Sequence, residues 1–224
     1  VELPPVRPPD FGGRKYENRS AETAIAVLSD WQLSKVTKTY STEVCEQRIE
    51  VYGDKIIKLA DIQRADHPVP DLRVYAVGDL VEGEMIFPGQ AHLIDASLFT
   101  QVMVAGPRIL GNFIRRMCGY FERVHFDGVI GNHGHIGGPF FRQYHPESNA
   151  DAMMYQATAM WLRGQDRLTW APNAVARERK WYSVDRVGSK GFLLFHGDQV
   201  KGGFAGLPWY GFSKKLLGWA NGAI

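Results

Sequence analysis

The sequence predicts an α/β layer protein, and three observations predict it. Short apolar runs of strand length recur along the chain, helix-period stretches separate the earlier ones, and four of the runs end in Asp, Asn or His. In open α/β sheets, ligands collect beyond the carboxyl ends of the strands, so the third observation also places a candidate site. The most telling stretch is Val74-Tyr75-Ala76-Val77-Gly78-Asp79-Leu80-Val81-Glu82-Gly83, where an apolar run delivers two carboxylates at its end.

The elements follow in order. Residues 1–20 carry Pro4, Pro5, Pro8, Pro9 and the Gly12-Gly13 pair, which predicts an extended arm, and from residue 21 to 224 the pattern is that of one globular domain. Ala24-Ile25-Ala26-Val27-Leu28 reads as a strand running into Ser29-Asp30-Trp31-Gln32. Cys45, Ile49, Tyr52, Ile56 and Leu59 then mark an amphipathic helix, with Glu43 and Glu46 near its positive end and Pro68 and Pro70 beyond it. After the Asp79 strand, two helical stretches, 92–105 and 109–117, are expected on either side of Gly106-Pro107, the second turning Ile109, Leu110, Phe113, Ile114 and Met117 inward. Val124-His125-Phe126-Asp127-Gly128-Val129-Ile130 leads into Gly131-Asn132-His133-Gly134-His135. A helix over 151–162, capped by Asn149, is expected to bury Met153, Met154, Ala157, Met160 and Trp161. Finally, 181–186 and 191–195 form a hairpin that feeds His196-Gly197-Asp198. Strands and helices alternate early and strands dominate later, which favours central mixed β-sheets flanked by helices over a pure parallel doubly wound sheet.

Composition sets limits. With 224 residues, 45% hydrophobic and 22% charged, the chain can bury a substantial core without staples. A net charge of +2 excludes a global field as the means of holding a polyanion, leaving a local patch or metal. Cys45 and Cys118 make no disulfide framework and no Cys-x-x-Cys zinc pair, pointing to a reducing, cytoplasmic setting. No apolar window has the length of a membrane span and no signal pattern opens the chain. The start at Val1 and the apolar end at Ile224 lead us to expect a piece of something longer.

Asp30, Asp79, Asn132 and His196 are hard or borderline ligands on four separate turns, a set suited to a pair of divalent cations bridged by one carboxylate. Such a pair serves in-line attack on phosphorus, because it lowers the pKa of water and neutralises phosphate charge. The segments Asp30-Trp31-Gln32, Gly78-Asp79, Gly131-Asn132-His133-Gly134 and Phe195-His196-Gly197 resemble, in order, the motifs of the calcineurin-like metallophosphoesterases. The resemblance covers about residues 21–203 and implies that family's layered α/β fold.

By this resemblance Asp30 and Gln32 bind the first metal, Asp79 bridges both, Asn132 and His196 bind the second, and His133 donates to the phosphate or leaving oxygen. There are three departures. Gln32 stands where the family has His, which tilts the expected metal to manganese, with magnesium, iron and zinc behind it. Gly134 replaces an acid, so the orientation that acid provides must come from elsewhere. The family's final Gly-His-x-His is missing from these residues, so incomplete metal loading is expected.

The segment forms look most like phage-type and SbcD-like DNA repair nucleases, which implies a bacterial or phage-infected host cytoplasm. Homodimerisation and an ATPase partner are expectations of the resemblance alone. Basic residues interleaved with aromatics, including Arg142, Arg163, Arg167, Arg177, Arg179, Lys180, Lys201, Trp209, Tyr210, Lys214 and Lys215, suit single-stranded nucleic acid. His135, Lys201 and Arg142 are the candidate substrate contacts, with Glu82 and Asp198 beside the motifs. The expected function is nucleic-acid phosphodiester hydrolysis by a hydroxide activated between two metals. The alternatives are a phosphomonoesterase and a catalytically weak nucleic-acid-binding domain of the same fold.

Overall fold

A computed structural model describes residues 4–6, 19–137, 145–175, 181–200 and 209–222. Four strands, β1 (Thr23–Leu28), β2 (Asp71–Val77), β3 (Arg123–Val129) and β4 (Leu168–Trp170), form one parallel sheet in that spatial order. Each crossover advances the sheet by one strand in the same direction, and right-handed connections therefore place all the crossover helices on one face. Those helices are α1 (Thr42–Gln63), a continuous run made of α2 (Leu98–Thr100), a π-turn (Gln101–Ala105) and α3 (Gly106–Cys118), and then α4 (Ala150–Trp161). Helix α3 packs between α1 and α4.

The core follows from strand alternation. Ala26, Leu28, Leu72, Val74, Ala76, Val124 and Phe126 point to the helices and are buried with Leu110, Ile114, Met117 and Met154. Tyr75, Val77 and Val129 point the other way, onto an antiparallel hairpin of β5 (Tyr182–Val187) and β6 (Lys190–Phe195), where Phe192 and Leu194 meet them. Polar contacts fix that second layer, since the Tyr75 hydroxyl donates to Asp185 (2.7 Å) and Ser183 donates to buried Asp127 (2.5 Å). Burial and the Asp185 carboxylate push the Tyr75 phenol well above its ordinary range. Parallel and antiparallel pairings are thus segregated into two sheets rather than mixed within one.

Edge strand β1 is blunted by α1, because the Tyr52 hydroxyl donates to the carbonyl of Val27 (3.1 Å) and accepts from its N–H (3.2 Å). At the opposite edge, Gln165 bonds Pro4 and Val6, and Arg167 donates to the carbonyls of Val6 and Cys118. Arg167 is therefore a packing residue rather than a free cation. A short helix α5 (Pro172–Val175) follows β4, and α6 (Trp209–Gly222) sets Phe212 against Phe195 of β6. No helix among the described residues is long and apolar enough to cross a membrane.

Several local expectations are corrected. The Gly106-Pro107 break does not exist: the π-turn runs straight into α3, and Pro107 lies in the first turn of α3 without ending the helix. The region 92–105 is not one helix but a 3₁₀ turn (Gln90–His92), a loop, and the α2 and π segments. In α1, Leu59 is 62% exposed, and its neighbour Ala60 takes the place in the core. In α4, Met160 and Trp161 face outward and Asp151, Tyr155 and Thr158 face in, because the helix must meet both α3 and the turns at the sheet's end. Helix α6 has no counterpart in the expectations, its pattern being interrupted by Gly211 and Gly218.

Candidate metal centre

The carboxyl ends of β1, β2 and β3 converge with the end of β6. Beyond β1, the residues from Asp30 to Leu33 run alongside the turn that follows β2, with the N–H groups of Asp30, Gln32 and Leu33 donating to the carbonyls of Gly78, Asp79 and Leu80 (3.2, 3.0 and 3.0 Å). Asp30, Gln32, Ser34 and Asp79 all have positive φ, between 45° and 85°. Non-glycine residues hold this left-handed geometry only where surrounding contacts over-determine it, and such strain concentrates at functional sites.

Three ligand atoms meet there. One side-chain atom each from Asp30, Asp79 and His196 lies within 4.8 Å of the others. Ser29 donates a hydrogen bond to Asp30, while Asp79 is buried and its Oδ1 accepts from the N–H of His133 (2.8 Å). His196 donates from Nδ1 to the carbonyl of Val77 (2.8 Å), which turns Nε2 toward Asp79 Oδ2 at 3.0 Å. An imidazole lone pair does not sit that close to a carboxylate without a proton or a cation between them. Burial pulls the His196 pKa down, but Asp79, the Val77 carbonyl and Asp198 outweigh it and raise it to about 9. That proton marks where a cation fits, and an Asp, Asp, His donor set suits a divalent ion of the manganese, magnesium, iron or zinc kind.

His133 stands beside the cluster. Its Nδ1 donates to the Glu82 carbonyl (3.0 Å), with the Glu82 carboxylate 3.2 Å away, and its Nε2 is 4.0 Å from Asp79. Burial lowers its pKa, but the Glu82 and Asp79 carboxylates together raise it overall. A side chain at position 134 would place Cβ 2.2 Å from Asn149 Oδ1, so no acid fits there. Glu82, almost wholly buried, presents its carboxylate to His133 instead. The Glu82 segment is itself held, because Gln101 of the π-turn accepts from the N–H groups of Glu82 and Gly83 (both 3.0 Å) and Gln90 donates to Glu82.

The residue that sequence reasoning missed is Asp151. It is fully buried in the first turn of α4, where Oδ1 accepts from the N–H groups of Leu80 (3.0 Å) and Val81 (3.1 Å) and Oδ2 from those of Asp79 and Gly131 (both 2.9 Å). One carboxylate thus clamps the turns after β2 and β3 together. Burial and the nearby Asp79 charge push its pKa up to about 6, against the pull of these N–H groups. Asn149 caps α4 as expected, accepting from the Asp151 N–H, and also donates to the Gly131 carbonyl (both 2.9 Å). In sequence Asp151 is one more acidic residue at a helix start, with no signal of its clamping role.

Of the anticipated ligands, the structure brings Asp30, Asp79 and His196 together, with His133 beside them. Asn132 is half-buried on the same turn as His133. Gln32 lies next to Asp30, and its amide oxygen accepts from Lys35 (2.7 Å). His135 stacks on Trp181 at 5.9 Å between ring centres, with Nε2 4.0 Å from Asp198. Arg142, Arg177, Arg179, Lys180 and Lys201 lie outside the described residues. Compared with known proteins, the chain matches no family model and no curated sequence.

Gly131 makes the convergence sterically feasible, since a Cβ there would stand 2.0 Å from Asp79 Oδ1 and 2.4 Å from the Asp79 N. Gly131→Ala is expected to push the two turns apart and weaken Mn²⁺ binding at least about tenfold, the scale of losing a group that orients a ligand. Gly191→Ala, whose Cβ meets nothing within 4 Å, is the matched control for titration calorimetry.

Proposed function

We propose that this protein is a metal-dependent phosphoesterase acting on nucleic-acid phosphodiesters. The observation that carries the reading is the convergence of Asp30, Asp79 and His196 within 4.8 Å, with the Nε2 of His133 turned toward the same carboxylate. Asp30, Asp79 and His196 would hold a divalent cation, manganese first, and Asn132 is the further donor that the family resemblance adds for a second ion. A cation so held supplies Lewis acidity to a phosphate oxygen and acidity to a water.

The chain's own residues do the rest. Asp79 is held by the His133 N–H and His196 by the Val77 carbonyl, so neither ligand has to reorganise when substrate arrives. Glu82 keeps a proton on His133 Nδ1 and stabilises the imidazolium, which leaves Nε2 to donate a proton to the departing oxygen. Trp209 and Tyr210, both exposed on α6 with Lys214 and Lys215, support a nucleic-acid strand as substrate, through stacking and phosphate attraction.

The test is hydrolysis of labelled single- and double-stranded DNA, bis-p-nitrophenyl phosphate and p-nitrophenyl phosphate by the purified protein. Cleavage of DNA and the diester is expected, abolished by EDTA and restored by Mn²⁺. Cleavage of the mono-ester alone would make the protein a phosphatase, and silence on every substrate with metal loaded would leave a binding domain.

A further inference from the structure

A cleft of about 360 Å³ adjoins the metal cluster through Asp30, with Gln32, Lys35, Thr37, Thr39 and Arg48 among its lining residues. Among the described residues Asp30 is the only acidic one in the lining, and neither Lys35 nor Arg48 forms an ion pair. The Lys35 ammonium is anchored on the Gln32 amide oxygen at 2.7 Å, and the Arg48 guanidinium lies 5.1 Å over the ring of Tyr40, whose hydroxyl donates to the Trp31 carbonyl. Both cations are thus positioned by neutral partners, so their charge stays available. The nearby start of α1 does not supply the attraction, because Asp95 already accepts from the N–H of Thr42 (2.8 Å).

We propose that this cleft seats the phosphate next to the one being cleaved, so that the substrate is a chain of linked phosphodiesters rather than an isolated phosphate ester. The inference rests on the phosphoesterase reading above. Two cations and two threonine hydroxyls in one lining offer the positive charge and the hydrogen-bond donors that a phosphate group takes. Sharing Asp30 with the metal cluster puts that phosphate beside the reacting one along the strand.

The experiment compares an oligothymidylate decamer with thymidine 5′-(p-nitrophenyl phosphate), which has a single phosphorus and nothing to place in the cleft. The Lys35→Gln, Arg48→Gln double variant is expected to raise KM for the decamer at least about tenfold more than for the small ester, and to flatten the salt dependence of the decamer KM by about one unit of slope. Lys58→Gln, on the exposed side of α1, should change neither. Equal changes in both KM values, or an unchanged salt slope, overturn the subsite. If the wild type cleaves neither substrate, the phosphoesterase reading fails by itself. The cleft is then judged by fluorescence anisotropy with the labelled decamer in EDTA, where tenfold weaker binding by the double variant sustains the anion site and equal binding removes it.

Discussion

Asp79→Asn is expected to lower metal-dependent phosphodiester hydrolysis by roughly 10³-fold or more, beyond the 10- to 100-fold typical of residues that only orient a ligand. Stability should change by less than about 1 kcal/mol, as for a buried polar group whose partners are kept. The asymmetry follows from the hydrogen bonds. An amide in the same place still offers one oxygen to the His133 N–H, and its NH₂ can donate to Nε2 of a neutral His196, whose Nδ1 is already committed to Val77. It also removes a negative charge from beside buried Asp151. What is lost is the charge that would hold a cation between Asp30 and His196. Turnover, calorimetric Mn²⁺ binding and thermal melting, measured together, decide the matter. Activity within tenfold of the wild type would remove Asp79 from the centre.

Asp151→Ala is expected to affect fold and function together. Four backbone N–H groups, from Asp79, Leu80, Val81 and Gly131, lose the acceptor that Asp151, itself without solvent exposure, gives them. Unpaired buried donors on this scale cost about 3–5 kcal/mol, which for a chain of this size lowers Tm on the order of 10 °C. The turns carrying Asp79 and Asn132 then part, and Mn²⁺ affinity falls with them. Asp151→Asn keeps one acceptor oxygen and should lose about half as much stability, because two N–H groups then face an NH₂ instead. A melting temperature for the alanine variant within a degree or two of the wild type would show that the two turns stand without the clamp.

The motif turns were legible because their chemistry leaves a local trace. A short apolar run that ends in an acid or a histidine is what a strand end carrying a ligand side chain requires, and Asp30, Asp79, His133 and His196 all follow such a run. The hairpin was legible for the same reason, since Gly188 and Ser189 lie between two alternating runs. Helix faces were less so. Met160 and Trp161 belong to an apolar stripe by period alone, yet α4 turns Asp151 inward to meet backbone N–H groups, and Thr158 goes in with its hydroxyl satisfied by the Met154 carbonyl of the same helix. The Gly106-Pro107 pair reads as a break wherever the preceding turn is α, and only a π-turn carries the helix through it.

Taken alone, the sequence determined that strands and helices alternate and which turns carry the Asp and His side chains that meet at the cluster, because both depend on residues adjacent along the chain. The parallel order of the four strands, the segregation of the hairpin, the backbone clamp made by Asp151, the placement of Glu82 against His133 and the cleft lined by Lys35 and Arg48 were decided by tertiary structure. Asp151 lies 72 residues from Asp79, and Gln101 lies 19 from Glu82. No local pattern records a hydrogen bond across such separations, and these contacts arise only when packing of the helix layer brings a buried carboxylate or amide against unpaired backbone donors.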